Sequence, residues 1–104
     1  MAGLGKFLKQ AQKMQEQMQR VQEELAAREV EGTAGGGAVK AVAKCDGSIV
    51  SIKIDPKVVD ANDVEMLEDL VVSAVANALE IAKKTQEQEM GKVTAGMNIP
   101  GMTI

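Results

Sequence analysis

Four cations near the start of the chain, Lys6, Lys9, Lys13 and Arg20, are the residues whose type and spacing point to chemistry. Lys6, Lys13 and Arg20 recur every seven residues, a spacing that stacks them along one stripe of an α-helix, and Lys9 falls beside that stripe. Glu16 is the one acid among the first twenty residues, so this stretch carries +3 while residues 21–104 carry −6. Cations at a helix N-terminus oppose the macrodipole, at roughly 0.3 to 1 kcal/mol each when exposed. An anionic partner reverses that penalty, because lysine ammonium groups and free N–H groups at a helix N-terminus both favour a phosphate. The ordinary alternative is a solvated helix face.

Other chemistry is scarce. The chain has no His, and its lone cysteine, Cys45, has no candidate base beside it in the sequence. The acids cluster on helix faces, where solvation accounts for them, so no enzyme is expected. One cysteine allows no intrachain disulfide and there is no metal-binding pattern, which suggests a reducing cytosol and no cofactor. The glycines of AGGG at 34–37 lead into a strand with no Gly-Lys-Ser/Thr after them, so neither a phosphate loop nor a small-molecule substrate is expected. Phe7 is the sole aromatic, which removes the stacking platform used for unpaired bases. A net charge of −3 and a pI near 4.9 are unlike a nucleic-acid binder as a whole. The polarisation of that charge along the chain is what keeps a polyanion in view. No apolar leader core opens the sequence and no stretch approaches the ~20 apolar residues of a membrane span, so a soluble cytoplasmic protein with no membrane partner is expected.

The elements that must position these residues follow from periodicity. Leu4, Phe7, Ala11, Met14, Met18, Val21 and Leu25 alternate spacings of three and four, the seam of one helix over residues 4–28. At ~1.5 Å per residue this helix is about 37 Å long, longer than a small domain is wide, so its N-terminal end should project. Residues 28–33 read as a first strand with Val30 inward, and residues 38–45 as a second with Val39, Ala41, Ala43 and Cys45 on one face. Asp46-Gly47 signals a two-residue hairpin into a third strand, with Val50, Ile52 and Ile54 inward, ending at Asp55-Pro56. Lys40, Lys44 and Lys53 then face outward, the solvated side of an antiparallel sheet or a second basic surface. A second helix is expected from Asp63, capped by Asn62 with Glu65 three residues on, to Met90, with Gly91 as its stop. Its segment Leu70 to Leu79 is apolar almost all round and should be buried on more than one side. The remainder, 92–104, has no period and is expected to be a flexible C-terminal tail after a single domain at 1–91.

These residues resemble the YbaB/EbfC family of nucleoid-associated DNA-binding proteins over nearly the full length. LKQAQKMQEQMQRVQEELA in the first helix, VEG with a Gly-rich turn, IKIDP closing the third strand, MLEDLVVSAVANAL in the second helix and GMNIPGM near the end occur in that order. The resemblance implies an α+β fold of long helix, three-stranded antiparallel meander and long helix, dimerising into a tweezer-like homodimer with protruding helices. It also implies binding to double-stranded DNA in the bacterial cytoplasm and nucleoid, with effects on DNA conformation, nucleoid organisation and gene expression. Carried onto this chain, the contacts fall on Lys6, Lys9, Lys13 and Arg20; Lys83, Lys84 and Lys92 are weaker candidates because Glu80, Glu87 and Glu89 surround them. The rival reading is a module whose projecting helices grip another protein through a Met-rich seam.

Overall fold

The computed structural model describes residues 2–96, in the order α1 (Ala2–Ala27), β1 (Glu29–Ala34), β2 (Val39–Lys44), β3 (Ile49–Ile54) and α2 (Val64–Gly96). The three strands form one antiparallel sheet in the order β1-β2-β3, so the expected α-β-β-β-α meander is the observed one. The first half of α2 covers β1 and β2, and β3 is left as an uncovered edge.

Small side chains set how closely the two layers approach. Val39, Ala41 and Ala43 of β2 and Ala74 and Ala78 of α2 are wholly buried and form the core, with Val30, Ala34, Leu70, Val71 and Val75 packed around them. The strand residue opposite this helix is Gly32, and a Cβ built on it would lie 2.2 Å from the backbone nitrogen of Ala78 and 2.6 Å from the carbonyl oxygen of Ala74. The helix backbone therefore rests on the strand backbone, which a side chain at position 32 would forbid. Asn77 fixes the register: its Oδ1 accepts the backbone N–H of Thr33 at 3.0 Å, satisfying a donor on the outer edge of β1.

Turn chemistry closes the sheet. Gly35, Gly36 and Gly37 all have positive φ (61°, 69° and 96°), which explains the run of three glycines between β1 and β2. Between β2 and β3 the loop is three residues, Cys45-Asp46-Gly47, in place of the expected two: Lys44 N–H donates to Ser48 (2.8 Å), Gly47 N–H donates to Lys44 (2.9 Å), and Gly47 takes φ 95°. The hydroxyl and the amide of Ser48 both donate to Asp46 Oδ1, at 2.6 and 2.9 Å, and the hydroxyl bond above all holds that carboxyl below its ordinary value.

Four boundaries and faces differ from the expectation. β1 runs one residue later, from Glu29 to Ala34. The β2–β3 register slips between Val42 and Ala43, so Ser51 pairs with Val42 and Ile49 with Ala43, and Val50 is the extra residue. Ile49, Ile52 and Ile54 therefore share the face of Ala43, Ala41 and Val39, where Val50, Ile52 and Ile54 were expected. On β3 that face is not fully covered by its own chain: Ile49, Ile52 and Ile54 are 37 to 41 % exposed, and Val50 at the bulge is 47 % exposed. The segment from Leu70 to Leu79 is likewise buried on one side, with Val72 66 % and Leu79 37 % exposed.

The second helix starts one residue later than expected and ends further on. Asp63, not Asn62, is its cap, with Oδ1 accepting the N–H of Met66 at 3.2 Å, and Glu65 follows in the first turn. It then passes through Gly91 without stopping and continues to Gly96, with Val93 buried. A glycine in a helix costs about 1 kcal/mol relative to alanine, which neighbouring turns and packing absorb. Residues 97–104 of the expected tail lie outside the described residues.

Candidate nucleic-acid interface

Beyond the sheet, α1 and the end of α2 make an arm. Arg28, just after α1, meets Glu89 of α2 at 3.5 Å, and α1 contacts α2 and β2 at its C-terminal end, where Leu25 is buried. The chain measures 74 × 26 × 16 Å, longer than either helix alone at about 39 and 50 Å. Only an α1 directed away from the sheet, antiparallel to the end of α2, gives that length. Its radius of gyration, 20.2 Å, compares with about 13 Å for a compact chain of this size.

Burial along α1 falls off toward the tip. Leu25 is buried, Val21, Met18 and Met14 are half-buried, and every residue from Gly3 to Lys13 is exposed. Lys6, Lys9, Lys13 and Arg20 are all exposed, and among the described residues none of the four takes part in an ion pair. With ~100° per residue, the four lie within about 60° of one another around the helix, and the apolar seam is centred roughly 140° away. Lys6 and Arg20 are separated by about 21 Å along the axis, a length over which one strand of B-DNA presents about six phosphates. The first turn of α1 has no acid, so its dipole is uncompensated there, as read from the sequence.

The other basic positions are differently placed. Glu80 pairs with Lys84 at 3.3 Å and Glu89 with Lys92 at 3.1 Å, so those cations are partly neutralised within α2. Lys40 and Lys53 stand directly opposite across β2 and β3, while Lys44 pairs across with Glu29. That Lys40–Lys53 neighbourhood could not be read from either strand alone, because it depends on the register. No group of three or more His, Cys, Asp or Glu placed to hold a metal ion occurs among the described residues, and no described helix is long and apolar enough to cross a membrane. A shallow hollow of about 340 Å³ between Asp63, Met66, Asp69, Leu70 and Ser73 gathers carboxylates and a hydroxyl.

The architecture is thus a small α+β body that carries an exposed, cationic helical arm. The chain belongs to the YbaB/EbfC DNA-binding family, whose sequence profile matches residues 1–97. It is 54 % identical over 99 residues to a nucleoid-associated protein of Caldanaerobacter subterraneus subsp. tengcongensis, covering 95 % of this chain and 89 % of that one. A nucleoid-associated protein of Pelotomaculum thermopropionicum is 52 % identical over 99 residues, covering 95 % of this chain and 94 % of the relative. The fold is shared with an uncharacterized protein from Helicobacter pylori, with a TM-score of 0.72 at 18 % identity over 90 % of this chain and 96 % of the other. This is a non-enzymatic family.

Proposed function

We propose that the protein binds double-stranded DNA as a homodimer, through phosphate contacts from Lys6, Lys9, Lys13 and Arg20 of both subunits, and acts at the nucleoid to shape DNA and so influence gene expression. The observation that carries this reading is the cationic stripe on the exposed half of α1, which forms no ion pair among the described residues, in a chain of a DNA-binding family. Names of relatives at about 50 % identity support the nucleoid as its place of action. Dimerisation is supported by β3, an edge strand with four partly exposed aliphatic residues, which a second copy would cover. Two arms then project from one joined body, in the manner of tweezers. Sequence preference is weak, since phosphate contacts position a protein without reading bases.

Salt titration of a gel shift tests the reading. Four cations on each of two arms neutralise up to eight phosphates, and five to seven if Arg20 lies too near the body to reach, so log affinity falls with log salt at a slope of about −4 to −6. Replacing Lys6, Lys9 and Lys13 together with Glu abolishes the shift and leaves the folded dimer intact. A triple variant that still retards DNA with an unchanged slope would move the interface elsewhere, first to Lys40, Lys44 and Lys53. Sedimentation equilibrium at micromolar concentration tests the dimer, which a stable folded species of 11 kDa would overturn.

A further inference from the structure

Between the cations of α1 and its apolar seam runs an edge that neither accounts for. Helical spacing places Gln10 and Gln17 there, within about 60° of Lys6 and Lys13, so that Lys6, Gln10, Lys13 and Gln17 alternate along one stripe. All four are exposed, and no acid falls on the stripe over that length. Neither glutamine makes a side-chain hydrogen bond among the described residues, so both carboxamides are open to a partner.

The opposite edge of the cations is acidic. Glu16 lies there, and with Gln19, Arg20 and Glu23 it surrounds a shallow hollow. Two carboxylates on that edge repel a polyanion, so a duplex held by the lysines is directed toward the glutamine edge. The other glutamines of α1 are placed differently: Gln12 and Gln19 fall beyond Glu16, and Gln15 and Gln22 fall on the seam side, roughly 150° or more from the centre of the cations. Gln10 and Gln17 alone stand where a side chain reaches past a lysine-bound phosphate to the bases behind it.

Their chemistry suits a base edge. A carboxamide presents a donor and an acceptor side by side, the complement of N7 and the N6 amino group of adenine in the major groove, which is wide enough to admit a helix. Seven residues separate the two side chains by about 10.5 Å along the axis, close to three base-pair steps of ~3.4 Å each.

We propose, on the phosphate-binding reading above, that Gln10 and Gln17 are the specificity-determining residues of the arm. With the lysines on the phosphates of one strand, the two carboxamides read A·T pairs three steps apart in the major groove. The resulting preference is about tenfold, small beside the ~1,000-fold and more by which dedicated sequence readers favour their sites.

Competition gel shifts at fixed low salt test this, using two duplexes of equal length, one with an A·T pair at every third step in a G·C background and one of G·C pairs alone. The first should compete about tenfold better. In the double variant Gln10→Ala and Gln17→Ala, which keeps the helix because alanine is the strongest helix former, the ratio should fall below about twofold while both duplexes are still retarded. The same fall is expected for the unaltered chain when 7-deazaadenine, which lacks the N7 acceptor, replaces adenine. Equal competition by the two duplexes would overturn the proposal. So would a preference that survives the double variant or the deaza base, since that would assign it to groove shape. Failure to retard any duplex would remove the phosphate reading and this one with it, whereas retardation without preference removes this one alone.

Discussion

The body and the arm of this protein are built on opposite principles. In the body, the wholly buried residues of the core are small, Val39, Ala41, Ala43, Ala74 and Ala78, and backbone lies against backbone at Gly32. Along the arm, the large apolar residues Leu4, Phe7 and Leu8 are exposed, and the cations form no ion pair among the described residues. Close approach of backbones tolerates no change of volume, since interiors pack to near-crystalline density. A lone helix face tolerates almost any change that keeps it helical. Stability is therefore concentrated in the body, the proposed DNA contacts lie on the arm, and substitutions can separate the two.

The largest effect should come from Gly32. In Gly32→Ala the new methyl would sit inside contact distance of the Ala78 backbone, so α2 must lift from β1 and the core opens. Forcing extra volume into a packed core costs 1 to 3 kcal/mol and sometimes more, and here the obstacle is backbone that cannot rotate away. A loss of at least about 3 kcal/mol, or a melting midpoint lowered by about 12 °C or more, is expected in thermal unfolding. A shift under ~4 °C would show that the two layers slide apart easily and that the contrast between body and arm is weaker than drawn.

Asn77→Ala probes the same contact from the helix side. It leaves the Thr33 N–H without its partner, but that edge is exposed and water replaces part of the bond. The expected cost is about 1 kcal/mol, read as a fall of ~4 to 8 °C in the melting midpoint.

How much of this was legible in the sequence differs between the two regions. The switch from helical to alternating periodicity and back gave the element order, and the seven-residue recurrence of Lys6, Lys13 and Arg20 gave the stripe that the structure leaves exposed. What escaped depends on contacts distant in sequence. A glycine at position 32 reads locally as a weak strand residue, and only Ala74 and Ala78, over forty residues later, reveal why it is needed. The bulge at Val50 exchanges Ile49 for Val50 on the inner face, a register choice that an unbroken run of aliphatic residues cannot express. Gly91 misled for the opposite reason. Local propensity marks a stop there, and the packing of neighbouring turns, with Val93 buried, overrides it.

That override predicts a gain. Gly91 lies within α2 with nothing among the described residues within 4 Å of the position of a Cβ, so Gly91→Ala adds helix propensity without a clash there. Circular dichroism should show the midpoint rising by about 3 to 6 °C, for roughly 0.5 to 1 kcal/mol. An unchanged or lower midpoint would mean that α2 does not hold its helix past residue 91.

The smallest expected effect on stability is also the one that separates the two regions most cleanly. Lys13 is exposed on the arm and has no ion pair among the described residues, so Lys13→Gln, which keeps a good helix former, should change stability by less than about 0.5 kcal/mol. Its effect on DNA is of another kind. On the proposed dimer, with one Lys13 contact on each arm, two phosphate contacts would be lost and the salt slope should become shallower by about 1.8. Weakening should be uniform across unrelated duplexes, because a phosphate contact carries no base information. A variant that melts normally and binds every duplex less steeply with salt locates DNA binding on the arm and stability in the body. If Lys13→Gln instead lowers the melting midpoint while the slope stays fixed, the lysine serves the fold, and the division between arm and body fails at the residue where it should be clearest.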